Sequence, residues 1–105
     1  MTPLSILVKT ALVLISLHAV EVFLWAVLLR FLPDGGLSSL EEAMYFSFAT
    51  FTTLGYGDIT LQEPWRLLTG IEALNGVLLI GWSTALSFAV ISKILEAIER
   101  SRQPE

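Results

Sequence analysis

The sequence predicts an all-α membrane protein with two transmembrane helices and, between them, a short re-entrant helix running into a glycine-punctuated loop. Three observations carry this. Of the 105 residues, 54% are apolar and only 15% charged, against about 25% charged in soluble domains. The apolar residues gather in two blocks, Leu4 to Leu32 and Leu67 to Leu95, each longer than the roughly 20 residues needed to cross a hydrocarbon core of about 30 Å. Between the blocks lies Thr52-Thr53-Leu54-Gly55-Tyr56-Gly57-Asp58-Ile59. Loop backbone at membrane depth is tolerated only where protein buries it or where it lines a water-filled path.

The first span is predicted over residues 4–32, a stretch free of proline and glycine. Pro3 sits near the first helical position, where a missing N–H costs nothing. The span stops at Pro33-Asp34-Gly35-Gly36, a dense cluster of breakers. Its apolar length exceeds the roughly 7–15 residues of a signal h-region, so it reads as a retained span. Ser39, with Glu42 three residues later, fits a capping box, and Glu41 and Glu42 suit the positive end of a helix dipole. The helix so begun, about 40–50, is too short to cross a bilayer, which makes it a re-entrant element. The loop occupies 53–58. Residues 59–64 return to the surface, and Trp65, placed like an interfacial aromatic, precedes the second span at about 66–95. A short charged tail, 96–105, closes a chain that reads as one domain, 1–105.

Composition narrows the function. There is no cysteine, hence neither disulfide nor thiolate metal site. A formal charge of −4 argues against nucleic acid and offers no polybasic anchor for anionic lipid. One histidine, no cysteine and no phosphate-cradling glycine loop leave nothing from which to assemble an enzyme. Lys9, Lys93, Arg100 and Arg102 lie on one side of the bilayer and Arg30 and Arg66 on the other. The positive-inside rule then puts both termini in the cytoplasm.

In Thr53-Leu54-Gly55-Tyr56-Gly57 the glycines permit backbone angles that a Cβ would forbid. Such a loop can aim successive carbonyls one way, and four copies around an axis would stack rings able to replace the water shell of a dehydrated cation. Two helices alone cannot enclose an ion path, so an oligomer is required. The order of span, short helix, Thr-Thr-Leu-Gly-Tyr-Gly-Asp and span resembles the pore domain of potassium channels, nearest the small bacterial two-transmembrane type. The likeness is good over residues 38–92; the first span matches by position and hydrophobicity.

The resemblance implies a homotetramer in a prokaryotic cell membrane that conducts K+, with no organic cofactor. It implies K+ sites at the carbonyls of Thr53, Leu54, Gly55 and Tyr56, with the Thr53 hydroxyl as the innermost ring and Gly57 closing the filter. Asp58 matches the acidic residue of the outer mouth, where Glu41, Glu42 and Glu63 add to the cation-attracting field. Gly76 matches the glycine about which inner helices bend; close contact with the short helix would equally demand glycine there. Ile80, Thr84 and Phe88, at i+4 steps, would face the pore and its gate. The sequence departs from the pattern in three places. Leu54 replaces the usual valine, Tyr45-Phe46 replaces a tryptophan pair, and Ala49 stands where some relatives keep a buried glutamate. Support for the filter then falls to Thr50, Tyr45 and Glu72.

His18, Glu21, Glu72 and Asn75 are polar groups inside spans, where such groups are costly and usually face a bundle interior. Counted inward from the outer ends, Glu21 and Asn75 lie about 15 Å deep and Glu72 about 10 Å. This depth match predicts one network joining Glu72 to Glu21 or His18, against the plainer reading that each is only packed or snorkelling. Two rival functions remain open at this stage. One is a cation channel with poor discrimination; the other is a non-conducting membrane subunit.

Overall fold

The Thr2 hydroxyl accepts from the Ser5 amide at 3.1 Å, Pro3 opens the helix behind it, and α1 runs from Pro3 to Arg30. In the computed structural model, which describes residues 2–104, two more helices follow: α2 (Leu40–Phe51) and α3 (Arg66–Arg102). No strand occurs among the described residues. Both α1 and α3 are long and apolar enough to cross a membrane.

The helix ends differ from the sequence-based bounds for identifiable reasons. α1 stops at Arg30 rather than residue 32, because Pro33 disfavours a helical conformation at Leu32. Asp34 adopts a left-handed φ of 56° in the turn that follows. α2 begins where Ser39 accepts from the Glu42 amide at 3.1 Å. The Glu42 carboxylate accepts from Ser38 Oγ at 2.5 Å, so a neighbouring hydroxyl takes the place of the reciprocal capping-box bond. α2 gains one residue, Phe51. The largest difference is at the far end of α3, which continues through residues 96–102 of the expected tail. Glu, Arg, Ala and Ile continue a helix readily, and the first breaker is Pro104, before which Gln103 is extended (φ −74°, ψ 133°). Among the described residues Arg66 forms an ion pair with Glu63, and His18 Nδ1 lies against the Glu21 carboxylate.

Cross-contacts fix the topology. Trp25 Nε1 donates to Asn75 Oδ1 at 3.0 Å, and His18 Nε2 lies 2.7 Å from Ser83 Oγ. Going down α1 in number therefore means going up α3, and the two spans are antiparallel. α2 fits against both. A small core forms at one end only, from Ala26, Leu29, Leu37, Ala43, Phe46 and Leu61, with Trp25, Met44 and Trp65 against it. The two connectors are sewn together there: Gln62 N donates to Gly35 O at 3.0 Å and Trp65 Nε1 to Pro33 O at 2.8 Å. Away from that end the molecule, 69 Å long and about 20 Å across, leaves most of its apolar surface bare.

Candidate functional site

α2 runs directly into the loop that the sequence marks out. Phe48 O accepts from both the amide (3.2 Å) and the hydroxyl (2.6 Å) of Thr52, which caps the helix. Thr53 N donates to Thr50 O and Gly55 N to Ala49 O, both at 3.1 Å. Farther on, Tyr45 Oη donates to Asp58 Oδ2 at 2.8 Å. Gly55 is thus tied to residue 49 and Asp58 to residue 45, so the loop doubles back and climbs one turn of the helix it has just left. The Asp58 carboxylate, as acceptor, holds the Tyr45 phenol above its usual pKa near 10. Between loop and helix lies a cavity of about 190 Å³ bordered by Tyr45, Ala49, Thr50 and Tyr56.

The backbone of the loop has an alternating hand. Thr53, Gly55 and Gly57 take positive φ values of 63°, 56° and 80°. Leu54 and Tyr56, between them, do not. For Gly55 and Gly57 this is the conformation glycine tolerates at little cost. A Cβ on Gly55 would come no nearer than 3.9 Å to another atom, so backbone angle rather than space demands glycine there. Thr53 pays the ordinary penalty of a left-handed L-residue, a feature that sequence reading missed because threonine carries no signal for it. Residues 52–58 are all exposed in the single chain, Tyr56 at 72%.

The expected supports are distributed as follows. Tyr45 braces the loop through Asp58. Thr50 is buried and contributes its carbonyl; its hydroxyl makes no hydrogen bond to Tyr56. Gly76 lies beneath the end of α2, where an added Cβ would fall on the Phe51 carbonyl oxygen and come within 2.8 Å of its carbon and 2.9 Å of its Cα. The structure thus supplies a packing reason for this glycine, and α3 passes through it unbroken. Ile80 borders an apolar crevice of about 410 Å³ with His18, Val22, Phe48, Phe51 and Thr52. Thr84 and Phe88 are exposed, Thr84 Oγ1 donating to Ile80 O at 3.0 Å.

The four polar residues of the spans do not form one network. His18 Nδ1 meets Glu21 Oε1 at 2.7 Å, its Nε2 meets Ser83, and its ring lies 5.9 Å from that of Phe51. Asn75 pairs with Trp25. Glu72 is fully buried and faces Ser47 instead. The depth match erred because register, not distance from the helix ends, decides the partners. The Trp25–Asn75 and His18–Ser83 contacts put Glu21 level with about residue 79 or 80, roughly 11 Å along the axis from Glu72. Ser47, Ser83 and the Trp25 indole are partners that sequence reading passed over. The usable signal was the need of each buried acceptor or donor for a mate on the facing helix.

Two spanning helices that hold a short helix and a loop of alternating handedness define a small helical membrane protein whose distinctive site is backbone rather than side chain. A family model described as "Ion channel" matches residues 6–93. The chain belongs to that family: it is a small two-transmembrane channel pore domain, an integral membrane protein and not an enzyme. No match was found among curated proteins or among solved structures.

Proposed function

We propose that the protein is a potassium-selective channel, a homotetramer in which residues 53–57 of four chains surround the ion path and α2 is its re-entrant pore helix. The observation that carries this reading is the alternation of φ sign over Thr53–Gly57. In an ordinary strand successive carbonyls point to opposite sides. When the hand reverses at every residue, the chain stays extended while its carbonyls turn to a common side. Four such chains supply stacked oxygen rings that substitute for the hydration shell of K+. The substrate ion would be held between the carbonyls of Thr53, Leu54, Gly55 and Tyr56, with the Thr53 hydroxyl as the innermost ligand and Gly57 ending the column. Asp58 sits at the mouth, steadied by Tyr45.

The bareness of the loop and of both spans supports assembly, since one chain supplies only one wall. The C-terminal end of α2 carries the negative end of its helix dipole, which favours a cation beyond it. The charge bias of the connectors and ends favours a membrane orientation with both termini cytoplasmic.

The test is flux through purified protein in liposomes under opposing K+ and Na+ gradients. A reversal potential at the K+ equilibrium value is expected. A potential near zero would mean a channel that does not discriminate, and no current would leave a non-conducting subunit. Gly55→Ala places a Cβ at φ 56°, a strain of about 1–2 kcal/mol in each subunit, and should reduce K+ flux at least about tenfold by distorting the rings.

A further inference from the structure

Glu72 is the one charged residue type that is wholly buried among the described residues. Neither of its carboxyl oxygens has a hydrogen-bond partner at good geometry, and the same is true of the Ser47 hydroxyl, although the two side chains are neighbours across the α2–α3 contact. Among the described residues no cation pairs with the carboxyl. Folded proteins rarely leave such groups unmatched, least of all inside a bilayer, where water is absent.

Their position on the helices is informative. One turn beyond Ser47 lies Phe51, and one turn beyond Glu72 lies Gly76, the position on which the Phe51 backbone rests. Residues 47 and 72 and residues 51 and 76 therefore form two successive rungs, so α2 and α3 descend side by side in a single register. The rung at Gly76 is steric and sets how closely the helices approach. A backbone lying over glycine does little to fix how far one helix slides along the other. A hydrogen bond does, because it weakens steeply with small changes of distance and angle. Any slide of α2 is passed to the loop, which hangs from the helix by the Thr52–Phe48 and Gly55–Ala49 bonds.

We infer that Glu72 is a positioning residue for ion selection: the Ser47 hydroxyl donates to its carboxyl, and this rung fixes the height of α2 on α3 and with it the spacing of the carbonyl rings. The inference rests on the channel reading above. A hydrogen-bonding group of this length is required at residue 72; a negative charge is not.

Three variants test it in the liposome assay, read alongside tetramer content and thermal unfolding. Glu72→Gln retains shape and hydrogen bonding and should keep the K+ to Na+ flux ratio within about twofold. Glu72→Leu fills the same volume without polarity; it should unfold at the same or a higher temperature, as apolar replacements of buried polar groups commonly do, yet lose the ratio about tenfold. Ser47→Ala, a small change that leaves the helix intact, should lose it about threefold or more. A stable Glu72→Leu tetramer with the parent's ratio would reduce residue 72 to packing and overturn the inference. So would a Glu72→Gln loss as large as that of Glu72→Leu, since charge would then be the requirement. If Glu72→Leu fails to assemble, Ser47→Ala decides alone, and an unchanged ratio in it overturns the rung. A parent protein that passes no K+ defeats the channel reading itself, a result separate from any of these.

Discussion

The two ends of the molecule are built on different terms. At one end, the last turns of α1, the start of α2, both connectors and the first turns of α3 close over Leu29, Leu37, Ala43, Phe46 and Leu61, all buried. At the other end, α1 has no buried residue before Val22 and α3 none after Gly76. Leu4, Leu12, Ile15, Leu86 and Phe88 are exposed although apolar. In water such surface would drive aggregation; in a bilayer, lipid tails are as apolar as leucine, and packing and polar contacts decide which helices associate. The chain itself completes only the part that must hold the loop in shape. In the proposed tetramer the rest is left to lipid and to further copies of the chain.

Four measurements break or sharpen this contrast. The largest effect is expected from Gly76→Val, which drives side-chain atoms into the Phe51 backbone where even a Cβ has no space. Its cost lies at or above the ~3 kcal/mol upper end of common overpacking penalties, and the yield of folded protein and flux should both collapse. A variant that assembles and conducts normally would show that the α2–α3 contact is not needed. Next is a matched pair of truncations. Leu61→Ala opens the packed end and should lower stability by about 3 kcal/mol, whereas Leu74→Ala, at a position 73% exposed, should cost under about 1 kcal/mol. Equal losses in detergent unfolding would erase the distinction, and a larger loss at Leu74 would locate a contact between chains.

Trp25→Phe keeps an aromatic ring but removes the pyrrole part with its donor to Asn75, leaving a half-buried amide oxygen without its partner and some packing lost; a loss of about 1–2 kcal/mol is expected. The smallest effect concerns the loop's outer tie. Asp58 raises the Tyr45 pKa in the folded protein by stabilising the protonated phenol. That contribution is complete below pH 10 and is lost as pH rises through the folded value above it. Flux in the parent should therefore be level through neutral pH and decline only in strong alkali, while Tyr45→Phe should lack that decline. An alkaline decline of the same size in Tyr45→Phe would assign it to another group.

Much of the fold is legible because it is written in breakers and run lengths. Pro33 to Gly36, Ser39 and the two apolar blocks place all three helices within a few residues, apart from the extension of α3 to Arg102. The loop's special backbone is legible at Gly55 and Gly57, whose lack of a Cβ announces it, and illegible at Thr53, where the neighbours impose it. The partners of His18, Asn75 and Glu72 were not legible. Each helix is apolar on nearly all sides, so hydrophobic pattern does not reveal which face meets which, and counting depth from helix ends errs by several residues. Contacts such as Trp25–Asn75 fix that register, and only three-dimensional packing displays them.

The length of α3 has a mechanical consequence. Its 37 residues extend about 55 Å, roughly 25 Å more than a hydrocarbon core. From the tight spot at Gly76 to Arg102 the rod measures about 39 Å. Pivoted there, a tilt of about 10° swings its far end through about 7 Å, while the Phe51 contact beside the pivot scarcely moves. A helix so pivoted would be a lever with a very short arm at the loop and a very long one at its charged tip. A large displacement at the tip would correspond to a slight one beneath the loop of residues 53–57.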